Sequence, residues 1–424
     1  MDILKKDSCN TFFLPCLFIF GMVLLMVQNT FPADFSTSKE ALIAAYKMEP
    51  NITPALARSA IENLKKALID CTDGYSASSI KYGTGVIYFK AGMQDDAKIA
   101  FRQTAGEANC PELIRICCFN MTGQISRLQG NDREALEAFE QAANLLEPSL
   151  SSRKEHNTNP EFVRLLCSVL FARGEIYEVR ENYSQSINEY NRLIQILRQN
   201  GNSDISGRYI PPAGDRISQI YLRMGDVNSY IKNAEELSAD YPQYYRIPVI
   251  KLEMECVKFL KSHCVNFDSF KGSFSAPAQL IAYLKDSKDS NSAQEITAVF
   301  DNLCKEHSIG YGGILLQYHY AWLLDTLGEK NRAAEIFAMI SAAGIPDDGD
   351  KPREKAILET VAEYAKIQLA ILLGERADYT EALRILNTMR THPDKSHISE
   401  LAKSVGKNLE TLKREVPENE NKKK

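Results

Sequence analysis

Residues 85–101 read GVIYFKAGMQDDAKIAF, and residues 123–139 read GQISRLQGNDREALEAF. Laid one on the other, they share Gly at the start, Gly at +7, Ala at +12 and Phe at +16. The first copy is Gly85, Tyr88, Gly92, Ala97 and Phe101; the second is Gly123, Ser126, Gly130, Ala135 and Phe139. Gly174, Tyr177, Ser186 and Tyr190 repeat the offsets in a degenerate third. Each copy predicts two antiparallel helices. The first small residue lets the second helix approach, the residue at +3 lies one turn further along, and Gly at +7 makes a left-handed turn cheap. Residues four apart, such as Ala97 and Phe101, share one face of the second helix and fill a small and a large gap. Ala142 and Leu146 continue that stripe in the second copy, and Pro148 is expected to stop it.

Weaker copies follow downstream. Ser218, Tyr221, Gly225 and Pro242 make a fourth; Ala321, Leu324, Gly328, Ala333, Phe337 and Pro346 a fifth; Ala370, Leu373, Ala382 and Leu386 a sixth. The pattern resembles the tetratricopeptide repeat, a helix–turn–helix unit of about 34 residues. The resemblance covers residues 80–395 apart from 243–313. The starts lie 38, 51, 44, 103 and 49 residues apart, so helices are longer or loops are inserted relative to the family. The fold class predicted is an all-α solenoid of antiparallel helical hairpins with degenerate repeats, preceded by a signal peptide or anchor. Its segments are a leader (1–33), an N-terminal helical hairpin (34–79), repeats (80–242), a helical insertion or degenerate repeats (243–313), further repeats (314–395), and a helix end with a charged tail (396–424).

Helix signals extend beyond the clear copies. Thr53 followed by Pro54 opens a helix reaching about Asp70, Asn159 followed by Pro160 opens another, and residues 37–48 supply one before them. Apolar periodicity at Ile250, Met254, Val257 and Leu260, at Leu280 and Tyr283, and at Ile296, Val299 and Phe300 predicts helices between 243 and 313. Residues 149–159, 200–214 and 347–350 read as linkers, and no alternating strand run occurs.

Composition narrows the class of function. With 44% hydrophobic and 25% charged residues, the 424-residue chain has the apolar content to fold. Its net charge of −5 is spread along the chain without a basic stripe, which argues against nucleic acid as a partner. Lys5 and Lys6 precede an uncharged apolar run at 12–27, the layout of a secretory signal peptide or a short membrane anchor. Ala33 offers a cleavage point, although Phe31 stands where a small residue is preferred. The chain is therefore expected to be exported to a periplasm or the exterior, or anchored to a membrane through residues 12–27. Eight cysteines follow the apolar run, an even number that permits disulfides. Cys117, Cys118 and Cys167, however, lie in apolar helical runs and read as small buried hydrophobes.

Hallmarks of catalysis are missing. No H-E-x-x-H, G-x-S-x-G or G-x-x-x-x-G-K occurs, and the S-x-x-K match at Ser78–Lys81 lacks its partner motifs. The chain reads as no enzyme, with no cofactor. His263, Cys264, Cys304 and His307 make a non-standard spacing for zinc and read as ordinary core or surface residues rather than a metal site.

In tetratricopeptide proteins the first helices of successive hairpins line a groove that meets the ligand. Carrying that face onto this chain gives Tyr82, Phe89 and Lys90, then Asn120, Gln124 and Arg127, then Glu175 and Glu178, then Gln219 and Arg223. Tyr82 and Phe171 stand where a chaperone-tail clamp carries lysine, so a C-terminal carboxylate is not the expected ligand. The mixed set implies a protein or peptide partner for a non-catalytic interaction scaffold. The alternative is a carbohydrate or small-ligand binding protein on the same hairpins, which exposed aromatics around Tyr318–Trp322 and Tyr241–Tyr245 would favour.

Overall fold

The computed structural model describes residues 52–69, 71, 74–151, 160–200, 203–263, 265, 267, 276–287, 290–307, 310–343, 352–389 and 396–415. The leader, the 37–48 helix and the 347–350 linker of the sequence reading lie outside these residues. Among the described residues there are seventeen α-helices and no strand. The chain divides into two compact units, residues 1–220 and 221–424.

The first unit holds α1 (Pro54–Ile69), α2 (Gly74–Lys90), α3 (Gln94–Gly106), α4 (Glu112–Leu128), α5 (Asp132–Ser151), α6 (Pro160–Val179), α7 (Tyr183–Asn200) and most of α8 (Ser203–Met224). The main contacts run between consecutive helices, so α2–α3, α4–α5 and α6–α7 form hairpins stacked in sequence order. The small-to-large contact read from the sequence closes each one. A Cβ added at Gly85 would lie 2.7 Å from the Phe101 ring, at Gly123 2.7 Å from Phe139, and at Gly174 2.7 Å from Tyr190. In a packed interior that space cannot be recovered, so a methyl group there would push the helices apart.

The hairpin turns share one hydrogen-bond pattern. The N–H of the residue at +8 donates to the carbonyl of the residue at +3: Met93 to Tyr88 (2.9 Å), Asn131 to Ser126 (2.8 Å), Asn182 to Tyr177 (2.9 Å), Asp226 to Tyr221 (2.9 Å), Glu329 to Leu324 (2.8 Å) and Asp378 to Leu373 (2.9 Å). This bond closes a helix C-terminus around a left-handed residue. Gly92, Gly130, Gly225 and Gly328 hold φ of 73°, 74°, 76° and 85° at +7. In the degenerate third and sixth copies the same conformation is taken by Glu181 (φ 57°) and Ala377 (φ 62°). Asn131, Asp226 and Asp378 then cap the following helix by accepting a backbone N–H, at 3.3, 3.1 and 3.3 Å.

The second unit begins at Tyr221 and carries α9 (Val227–Asp240), α10 (Ile247–Ser262), α11 (Ala276–Ser287), α12 (Ser290–Glu306), α13 (Gly310–Thr326), α14 (Lys330–Ala342), α15 (Pro352–Glu375), α16 (Tyr379–Met389) and α17 (Ser396–Glu415). The region without a repeat copy is organised by α10, which packs against α9, α11, α12 and α13. Nine of its residues are buried, including Ile250, Met254, Val257 and Leu260. Repeat geometry returns with α13–α14 and α15–α16, where Ala333 and Phe337, then Ala382 and Leu386, are fully buried.

Two readings of the sequence need correction. Pro148 does not stop α5, which runs on to Ser151; a proline this close to the end interrupts only the last turn. Residues 203–214 are not linker but the start of α8, in spite of Pro211 and Pro212. Burial of Ile205, Ile210 and Ala213 outweighs the two lost backbone donors and the poor helix propensity of the stretch. Helix α1 opens at Pro54 behind Thr53, whose Oγ1 accepts the Leu56 N–H at 3.3 Å, and α6 opens at Pro160, while Asn159 lies outside the described residues.

Candidate partner-binding seam

The first helices of the hairpins carry matching registers. Residues 82, 86 and 89 of α2 correspond to 120, 124 and 127 of α4 and to 171, 175 and 178 of α6 by the 38- and 51-residue repeat spacings. Because these residues are three or four apart, each trio lies along one side of its helix. Helices α2 and α4, and α4 and α6, touch directly, so the three stripes form one seam.

The proposed groove residues do not all lie on a free face. Tyr82 is fully buried with its ring 5.2 Å from Phe101, inside the first hairpin. Phe171 and Tyr190 repeat this pair at 5.2 Å in the third. Aromatic residues at this register therefore fill hairpins. Lys90, Asn120, Gln124 and Glu178 are also buried, while Phe89, Arg127, Glu175 and Gln219 are half-buried. Tyr82 is covered within its own hairpin, and neighbouring first helices are in direct contact along this side. Arg223 is half-buried and belongs to the second unit.

Charged side chains from three hairpins form a ladder along the seam. Arg127 Nη1 donates to Glu175 Oε2 at 2.7 Å. The other oxygen of Glu175 accepts from Arg216 Nη2 at 3.4 Å, and Arg216 Nη1 reaches Glu178 Oε1 at 3.4 Å. The Tyr190 hydroxyl donates to Glu178 Oε2 at 3.4 Å. Burial, reinforced by Glu175 and Glu178, pushes the Tyr190 phenol well above its ordinary range. Burial opposes the charge of Arg216, but Glu178 and Glu175 outweigh it and hold the guanidinium firmly protonated. The sequence reading placed Arg127, Glu175 and Glu178 on this face and missed Arg216. Register matching lands on Asp215, one residue earlier, so the arginine escapes a strict offset search.

Below Arg127 on α4 lie two amides whose polar atoms are not satisfied. Asn120 is 0% exposed, and neither its Oδ1 nor its Nδ2 has a hydrogen-bond partner among the described residues. Gln124 is 3% exposed, and its Oε1 lacks one as well. Each buried amide left unpaired costs about 1–3 kcal/mol. Together the unsatisfied atoms are one amide NH2 donor group and two carbonyl acceptors, which can pair with the C=O and N–H groups of a peptide main chain.

Ser78 is buried and Lys81 is ion-paired with Glu107. His263 stacks on Phe259 at 4.2 Å, with Nδ1 2.9 Å from the Phe259 carbonyl oxygen, and His307 Nε2 lies 3.2 Å from Lys251 Nζ. Cys264 lies outside the described residues, and among the described residues no three potential ligands group for a metal. Cys110, Cys117, Cys118, Cys167 and Cys256 are buried and unbridged. Tyr318 and Trp322 pack edge-on against Phe337 at 5.8 and 6.4 Å, and Tyr241 and Tyr244 pack on the core of the second unit. Tyr318, Trp322, Tyr241 and Tyr244 thus take part in helix packing while remaining partly exposed.

No family model matches the chain, and no curated protein matches it in sequence. Among solved structures, it is similar to a tetratricopeptide repeat protein from Parabacteroides merdae, at 13% identity over 77% of this chain and 98% of that one, with a TM-score of 0.42. It is also similar to RapI in its apo form, at 10% identity over 89% and 98% of the two chains and a TM-score of 0.41. A third is the apo quorum sensor NprR from B. thuringiensis, at 10% identity over 88% and 97% and a TM-score of 0.39.

Proposed function

We propose that this chain is a non-catalytic protein-interaction scaffold of the tetratricopeptide type, taking a peptide or protein segment along the seam of α4, α6 and α8. The observation that carries the reading is the pair of buried, unsatisfied amides at Asn120 and Gln124. A stable helix stack gains nothing from them, whereas a bound main chain would satisfy both. The polar ladder beside them supplies both signs of charge for orienting such a segment. We place this activity outside the cytoplasm or at a membrane, on the strength of the apolar run at 12–27 behind Lys5 and Lys6.

The test is affinity capture with the full chain as bait against membrane and soluble extracts, beside an Asn120→Leu/Gln124→Leu bait that keeps the side-chain bulk. Saturable recovery of a protein by the native bait and its loss with the variant support the reading. Equal recovery by both would remove the amides from the interface.

A further inference from the structure

Asn120 and Gln124 pose a problem for any ligand: at 0% and 3% exposure nothing can reach them while the seam stays as it is. The groups that span the seam are charged. Arg127 and Glu175 join α4 to α6, with side chains 13% and 11% exposed, and Arg216 joins α8 to both Glu175 and Glu178 of α6. Successive first helices are thus tied by charge–charge contacts. Such contacts have two satisfied states, paired with each other or solvated apart, and packed hairpins move between discrete arrangements.

We infer that the Arg127–Glu175–Arg216–Glu178 ladder is a latch that keeps the seam closed over the amides, and that its release is the step admitting a partner. This use of the latch rests on the binding role proposed for the seam; the latch itself is testable without a partner. Arg216, a third exposed, is the end at which solvent or a competing carboxylate enters first. A partner segment that offers a carboxylate to Arg216 or Arg127 would take over the ladder's bonds as the helices part, so opening and binding are one exchange of ion pairs.

The seam contains its own reporter. Cys117 lies on the same side of α4 as Asn120, Gln124 and Arg127, at three- and four-residue steps, and is 1% exposed. Burial pushes its thiol up to about 12. Cys118, one residue on, points about 100° around the helix, and Cys256 is buried in the second unit. The experiment is native-state alkylation of the full chain with iodoacetamide at pH 8, read per cysteine by mass spectrometry, for the native protein and Glu175→Gln/Glu178→Gln.

The latch predicts that Cys117 is labelled about tenfold faster in the variant, equivalent to about 1.4 kcal/mol of easier opening, while Cys118 and Cys256 keep their native rates. Unchanged Cys117 labelling would overturn the inference. So would acceleration of all three cysteines together, because that reports general loosening. If the double variant loses its cooperative melt, Arg216→Gln, which alters the most exposed member, is read by the same criteria. A failed capture experiment with selective Cys117 labelling would refute the binding role and leave the latch; successful capture with unchanged labelling would do the reverse.

Discussion

Individual side chains in this molecule divide into those that close hairpins and those that burden them. Gly123 and Phe139 belong to the first kind, since the ring occupies the space that any other residue at 123 would need for its Cβ. Asn120 belongs to the second, placed one turn before that glycine with two polar atoms and no partner for either. His319 is a burden of another sort. Burial, aided by the positive charge of Arg246, holds its pKa down to about 4, against an ordinary value of 6.5. In the unfolded chain the imidazole takes a proton as pH falls through 6.5, while in the fold it remains neutral until about pH 4. Its contribution to stability is therefore complete above pH 6.5 and is lost across that window, by about 3 kcal/mol in total. Denaturation midpoints measured at pH 7 and pH 4 will fall further for the native protein than for His319→Gln, in which this titration is absent. An equal fall in both would mean that His319 is not held neutral.

The helical hairpin was the most legible element because its turn imposes residue types at fixed chain offsets. The left-handed residue at +7, the small residue at the start and the bulky one at +16 all serve contacts within about twenty residues, so a sequence scan sees them together. The cap at +8 was equally local, yet it is Met, Asn, Asn, Asp, Glu and Asp in turn, a set too varied to register as a repeat. Glu181 and Ala377 show the turn persisting where its preferred residue is gone. A non-glycine residue pays about 1–2 kcal/mol in this conformation, so Glu181→Gly and Ala377→Gly are each expected to stabilise their unit by about 1 kcal/mol. Both side chains are exposed, so little contact is lost. A higher midpoint in chemical denaturation for each would bear this out, and a lower one would show that the side chains contribute something the turn geometry does not contain. Helix α8 was hidden for the opposite reason: Pro211, Pro212 and Gly207 speak locally against a helix that burial of Ile205, Ile210 and Ala213 imposes. The exposure of the seam was hidden too. Whether residues such as Arg127 and Glu175 face solvent depends on how closely the next first helix approaches, and that distance is set by contacts some 40 to 50 residues away along the chain.

At the scale of the whole molecule, two compact units carry the six repeat copies, and the first contains the ladder and the unsatisfied amides. The apolar run at 12–27 adds an expectation about where this assembly works. Intact-mass measurement of the protein from its native source decides between the two forms of that expectation: a chain beginning near residue 34 means a cleaved signal peptide, and an uncleaved chain that partitions with membranes means an anchor. An uncleaved chain recovered free of membranes would contradict both. Whether the seam trades stability for binding is read from the melting temperature of native protein and Asn120→Leu, each with and without the captured partner. The variant alone will melt higher, since an unpaired buried amide has been removed, and the partner will raise the melting temperature of the native protein only. A variant that melts lower and is still stabilised by the partner would show that Asn120 serves the fold and not the interface.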